Sequence, residues 1–181
     1  MNTYLFLSLV TALCFGLQFE PVSHFMIWQA DAITNGQWWR IVTGNFTHTN
    51  FAHLLMNLLG LWAIGYLFRP KPRYFARLTL LISTWIGLSL LLTNMSSYVG
   101  LSGTLHGLFA FYALKEALEG RKSSWLLVIG VMLKVVGEQL FGASTSTAEL
   151  IGARVATEAH LSGLIIGLLL SATMYKKTAE K

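Results

Sequence analysis

The chain has 181 residues, of which 54% are hydrophobic and 12% charged, with a mean hydropathy of +0.57. That balance excludes an ordinary soluble domain and makes the bilayer the expected solvent. The formal charge of +5 is divided among short clusters between apolar runs, which excludes a nucleic-acid face and fits the orientation of membrane helices. A single cysteine, Cys14 in an apolar run, excludes an internal disulfide and a Cys-based zinc site, leaving the role of a small core residue.

In chain order, six runs of 16 to 19 residues are each expected to cross the hydrocarbon: 4–19, 51–68, 78–93, 102–118, 125–141 and 157–175. At ~1.5 Å per residue each spans roughly 24 to 28 Å, slightly under the ~30 Å hydrocarbon core, as suits a small bundle that thins the bilayer. The first run has no basic residue before it and no small-x-small cleavage site after it, so a retained helix is expected rather than a signal peptide. Ten basic residues, from Arg69 to Arg77, Lys115 to Lys122 and Lys176 to Lys181, fall on one side of these runs. The positive-inside rule assigns that side to the cytoplasm, with both termini there and the start of the fourth run facing out.

The link 20–50 is long for so small a chain and carries Phe25, Met26, Ile27, Trp28, Trp38 and Trp39. Long connections tend to be functional. This one is expected to lie half in the outer interface, with Arg40 reaching lipid phosphate or loop carbonyls; a partner-docking surface is the rival reading.

Polar residues within apolar runs need a reason, since each unsatisfied one costs several kcal/mol. Run two has His53 and Asn57 and run four has Ser102 and His106, each pair four apart on one helix face, and run six has His160. Ser102 lies 19 residues before Arg121 and His160 lies 16 before Lys176, which puts both about 24 to 28 Å above the cytoplasmic boundary at ~1.5 Å per residue. Their runs are parallel, and each has a small-residue pair for close approach, Gly103 with Gly107 and Gly163 with Gly167.

The roles that follow are Ser102 as nucleophile and His160 as general base. The N–H of Ser102 and the side chains of His53 and Asn57 form the oxyanion site. Gly100 and Gly103 let the chain turn tightly around the serine. No carboxylate is expected to orient His160, because Glu158 lies on another face, so the prediction is a dyad.

Blander readings stand beside these. Ser102 also suits a helix cap, and each histidine a packing role. His53, His106 and His160 on three helices also suit axial haem ligation. Zinc is disfavoured, since no His-Glu-x-x-His is present and His48 and His53, five apart, share no helix face. Lys134 and Glu138, an i, i+4 pair in an apolar run, read as a structural ion pair.

Taken together, Trp39-Arg40, His48 with His53-Leu54-Leu55-Met56-Asn57, Gly100-Leu101-Ser102-Gly103 and Ala159-His160-Leu161-Ser162-Gly163 with Gly167 resemble the rhomboid intramembrane serine proteases. The resemblance implies an all-α polytopic membrane protein, a single domain over residues 1–181 built as a six-helix bundle with a half-inserted first outer loop. It implies Ser102 and His160 as the dyad, His53 and Asn57 as oxyanion side chains, and Trp39-Arg40 as the loop anchor. No metal or other cofactor is implied.

Where rhomboids commonly place a tyrosine four residues after the serine, this chain has His106. The pattern Gly-Leu-Ser-Gly-x-Leu-His-Gly is similar to the rhombosortase branch. That branch implies substrates anchored in the bacterial inner membrane by a C-terminal Gly-Gly motif, helix and basic tail, cut near the periplasmic face. His106 is expected to stack on His160, with a tautomer-fixing hydrogen bond as the alternative. The fifth run and the loop 142–156 are the expected gate and cap, and a haem anchor or an inactive binder of membrane helices are the other classes.

Overall fold

Two asparagines start two of the long helices. The side chain of Asn2 accepts from the N–H of Leu5 at 2.7 Å to open α1 (Thr3–Gly16), satisfying one of the free N–H groups of a first turn. The computed structural model describes residues 2–179, with side chains through Tyr175. Lys181 and the side chains of Lys176 and Lys177, part of the expected charge asymmetry, lie outside the described residues.

The link after α1 folds into three short helices, α2 (Val22–Met26), α3 (Ala30–Thr34) and α4 (Arg40–Thr43), and a 3₁₀ turn at Gly44–Phe46. A two-residue strand, β1 (Trp28–Gln29), pairs antiparallel with β2 (Ser97–Tyr98). Asn50 then caps α5 (Phe51–Phe68), accepting from the N–H of His53 at 2.8 Å. Pro72, in the first turn where its missing N–H costs nothing, opens α6 (Pro72–Ser89). This helix begins earlier than the apolar run expected from Leu78, with Arg73 and Arg77 exposed on its first turns.

The remaining helices are α7 (Ser102–Leu118), α8 (Ser124–Phe141), α9 (Thr145–Ile151) and α10 (Thr157–Ala179). α9 lies inside the segment expected to be an irregular loop, bounded by Gly142 and Gly152, both at positive φ. Among the described residues, four helical stretches, Phe51–Phe68, Pro72–Leu92, Ser124–Phe141 and Thr157–Tyr175, are long and apolar enough to cross a membrane. α1, at 14 residues, and α7, at 17, are shorter. So six expected runs correspond to six helices, four of which meet that length and composition alone.

α7 is the central helix, with 10 of its 17 residues buried. Its tightest neighbour is α10, where glycines on both helices let the backbones approach. A β-carbon on Gly163 would run into the carbonyl of Gly103, and one on Gly167 into the carbonyl of Gly107. Backbones meeting this closely fix the relative height of the two helices, and with it the height of Ser102 against His160.

The outer link is fastened from within. Arg40, 3% exposed, donates to the carbonyls of His24 (3.0 Å) and Ile27 (2.6 Å) and to the Gln37 side chain (2.6 Å). Of its two expected roles, the structure supports the bond to loop carbonyls. Trp39 donates to the Phe25 carbonyl and the buried Trp28 to the Gly87 carbonyl, each at 2.9 Å. Phe25, Trp38 and Trp39 keep much of their apolar surface exposed.

Candidate active site

Ser102 is the first residue of α7, so its N–H has no acceptor within the helix. The turn before it needs glycine: Gly100 has φ +120°, and a β-carbon there would meet the His53 ring at 2.7 Å. This turn is held on two sides, by the Gly100 N–H donating to the Gly44 carbonyl (3.0 Å) and by the Tyr98 hydroxyl donating to the Gly100 carbonyl (2.5 Å). One turn on, Thr104 donates to the Asn45 side chain (3.1 Å) and meets Ser83 (2.9 Å). These buried polar groups on the outer link, α6 and α7 satisfy one another and hold the serine platform in place. Sequence reasoning did not single out Asn45 or Tyr98.

His160 projects from the first turns of α10, with Nε2 2.8 Å from Ser102 Oγ. Its other nitrogen, Nδ1, lies 2.8 Å from Glu138 Oε2 on α8. Glu138 Oε1 in turn accepts from Lys134 at 2.6 Å. The expectation that no carboxylate orients His160 is therefore corrected: Glu158 turns away to Arg154 (3.0 Å), and the carboxylate comes from another helix. An ionised carboxylate can only accept, so it holds the proton on Nδ1 and leaves Nε2 free to accept from the serine hydroxyl. The result is a serine, a histidine and a glutamate in line, with a lysine behind the glutamate.

His106 stacks on His160, ring centroids 4.2 Å apart at 23°. Its Nδ1 lies 2.7 Å from the Ser102 carbonyl, so its hydrogen bond goes to the serine's backbone, and the contact with His160 is face to face.

His53 and Asn57 line the same cavity of about 1210 Å³ as Ser102 and His160. A β-carbon on Gly100 would lie 2.7 Å from His53 Nε2 and 3.6 Å from Asn57 Nδ2, so both side chains converge just before the serine. Asn57 Nδ2 is buried without a hydrogen-bond partner. An orphaned donor is costly unless something negative visits it. Together with the N–H of Ser102 it makes the start of an oxyanion site. His48 packs edge-on against His53, centroids 5.0 Å apart at 85°. The two share no helix face, yet they touch, because His48 lies in the turn before the Asn50 cap. Burial, with the nearby His53 adding to it, lowers the His48 pKa to about 3.

Among the described residues, His106, Glu138 and His160 are grouped closely enough to hold a metal ion, their ligand atoms within 4.8 Å of one another. The chemistry of the set is against it. Parallel stacked rings aim their in-plane lone pairs side by side instead of at one point, and Glu138 Oε2 already meets His160 Nδ1. The same stacking leaves no room for a porphyrin between His106 and His160.

The profile of the rhomboid domain matches residues 35–177. The chain is 32% identical over 146 residues to the Rhomboid-like protein 11, chloroplastic, of Arabidopsis thaliana, covering 74% of this chain and 51% of that one. It is 27% identical over 185 residues to the protein YdcA of Bacillus subtilis, covering 91% and 85% of the two. To the Rhomboid protease GlpG of Yersinia pestis it is 27% identical over 156 residues, 83% of this chain and 53% of the relative. The chain thus spans about half the length of the Arabidopsis and Yersinia relatives. With the matched region running from the outer link through α10, the chain belongs to the rhomboid domain family.

Proposed function

We propose that this chain is an intramembrane serine endopeptidase using Ser102, His160 and Glu138. The observation that carries the reading is the unbroken line from Ser102 Oγ through His160 to Glu138, two contacts of 2.8 Å, facing the unpaired Asn57 donor. Two relatives named as rhomboid proteases support it.

Ser102 Oγ attacks the scissile carbonyl carbon as His160 Nε2 takes its proton. Glu138 stabilises the imidazolium that forms, and the oxyanion is met by the Ser102 N–H, Asn57 Nδ2 and His53. His160 then protonates the leaving amine, and a water deprotonated by His160 releases the acyl group. His106 keeps the imidazole plane fixed by stacking, and Trp39-Arg40 anchor the outer link.

In the same reading the six helices all cross a thinned bacterial inner membrane, with both termini cytoplasmic, the outer link half inserted and the site open to the periplasm. The basic clusters at 69–77 and 115–122 support that orientation. Substrates are membrane-anchored proteins with a C-terminal Gly-Gly motif, helix and basic tail, as the Gly-Leu-Ser-Gly-x-Leu-His-Gly pattern of the rhombosortase branch implies. The acyl-enzyme passes either to water or to an amine.

Co-expression with a Gly-Gly tailed substrate, followed by mass spectrometry of its new C-terminus, tests the reading. Cleavage lost in Ser102→Ala and His160→Ala is the expected result. An intact tail, together with no labelling of Ser102 by a fluorophosphonate, ends it.

A further inference from the structure

We infer that Thr49 is a positioning residue that sets the tautomer of His53 and ties it to the seating of α9 over the site. The inference rests on the reading of His53 as an oxyanion donor. Thr49 Oγ1 lies 2.6 Å from the Ile151 carbonyl at the end of α9 and 3.1 Å from His53 Nδ1. A hydroxyl has one proton, and a carbonyl can only accept. The Thr49 proton is therefore committed to Ile151, and the contact with His53 is a bond that Nδ1–H donates and the hydroxyl accepts.

A neutral imidazole has one N–H, so Nε2 is then bare. The Cε1–Nε2 edge of the ring, and so the bare nitrogen, faces Gly100. With α9 seated, His53 presents a lone pair where an oxyanion would form, and the site is one donor short.

Two hydrogen bonds hold the end of α9 at this corner, the Thr49 bond and the bond Asn50 Nδ2 donates to the Leu150 carbonyl (3.1 Å), beside the buried Ile151 side chain. A substrate entering beneath α9 displaces the Ile151 carbonyl. The Thr49 hydroxyl then turns its proton to Nδ1. His53 loses the Nδ1 proton to water and gains one from water at Nε2, with no net change in protons. Asn50 Oδ1 still accepts from the His53 N–H (2.8 Å), so the backbone of His53 stays in place while its ring changes tautomer. Thr49 thereby couples an occupied site to a complete oxyanion site.

Two-bond ¹H–¹⁵N correlation spectra of the full chain, labelled with ¹⁵N-histidine in detergent micelles, test this directly, with the His53 signals assigned by their loss in His53→Gln. The free protein is expected to show His53 as the Nδ1–H tautomer, and the protein phosphonylated at Ser102 as Nε2–H. Thr49→Val should lose the Nδ1–H preference in the free protein, and Thr49→Ser should keep it. Nε2–H in the free wild-type protein, or an unchanged spectrum in Thr49→Val, overturns the inference. If the fluorophosphonate fails to label Ser102, the protease reading falls, while the spectrum of the free protein still decides the role of Thr49.

Discussion

Replacing Glu138 by glutamine tests the third member of the proposed catalytic line, and the structure sets the size of the effect. Two unit charges ~4 Å apart interact by about 4 kcal/mol at an effective dielectric constant of ~20. Lys134, 2.6 Å from the other carboxylate oxygen and itself half exposed, offsets part of that. Roughly 2 kcal/mol then remains for stabilising the His160 imidazolium, a ~30-fold loss in kcat when the charge goes.

Glutamine does further damage because Lys134 can only donate. The amide oxygen must turn to Lys134, so the amide nitrogen faces His160 Nδ1 and drives the proton to Nε2, where it blocks acceptance from Ser102. In serine proteases of the Ser-His-Asp type the corresponding wrong tautomer costs ~10⁴ in kcat, so Glu138→Gln should lose about 10³- to 10⁴-fold. Lys134→Met in the same chain frees the amide to flip, and the double variant should recover to the ~30-fold loss of the charge alone. Turnover of a membrane-anchored substrate in proteoliposomes measures both. A Glu138→Gln enzyme within ~3-fold of wild type would refute a role for Glu138, and failure of the double variant to recover would refute the tautomer argument.

Gly163→Ala should lower thermal stability by at least the 1 to 3 kcal/mol typical of overpacking, because the new methyl meets the Gly103 backbone carbonyl, which cannot step aside as a side chain can; an unchanged melting temperature in detergent would contradict the close α7–α10 packing. His106→Tyr keeps a ring on His160 and loses the bond to the Ser102 carbonyl, so Ser102 labelling by fluorophosphonate should stay within ~3-fold of wild type with the same pH profile, and a shifted profile would assign His106 an electrostatic role. His48 has its pKa lowered from 6.5 to about 3, so the stability its neutral form contributes is fully present above pH 6.5 and is lost as pH falls toward 3. Melting temperatures between pH 7 and pH 4 should therefore fall more steeply in wild type than in His48→Phe, and equal slopes would contradict the shift. Finally, an engineered disulfide holding α9 to α5 should stop cleavage of membrane-anchored substrates, while one holding α8 to α10 should not; the reverse pattern would make α8 the gate.

Depth along the helices was legible in the sequence wherever it was applied. Counting residues from the basic clusters put Ser102 and His160 at one level, and the paired glycines supplied the reason their helices approach. The same count places Glu138, 16 residues after Lys122, at about 24 Å and ~1.5 Å per residue, level with His160. That signal was masked because Lys134, four residues away, offered a sufficient local partner. A carboxylate has two oxygens, and the local pair uses one of them.

What sequence reasoning did not reach lies in the connections. Thr49, Asn45 and Tyr98 have no periodicity to mark them, and their roles depend on where the outer link folds back over α6 and α7. The loop 142–156 reads as flexible from its small residues, yet Thr145–Ile151 forms a helix whose closing carbonyls are taken by Thr49 and Asn50 from across the site.

The position of Glu138 constrains how a substrate gets in. By exposure α8 is the natural gate: only Ser124, Val128, Val131 and Val135 along it are buried, while Leu126, Leu133 and Leu140 face outward. Its outer end, however, is held to α10 twice, by Glu138 on His160 and by Gln139 donating to the Thr157 carbonyl at 3.0 Å. Hydrogen bonds of this kind weaken steeply once stretched beyond about 3.5 Å, so a swing of α8 wide enough to admit a helix would take apart the catalytic line it is meant to serve. α9 is under no such constraint, since it contributes no side chain to that line and turns on glycines at both ends, Gly142 and Gly152. In the protease reading α8 is therefore a fixed wall that orients the base, and α9 is the part that moves.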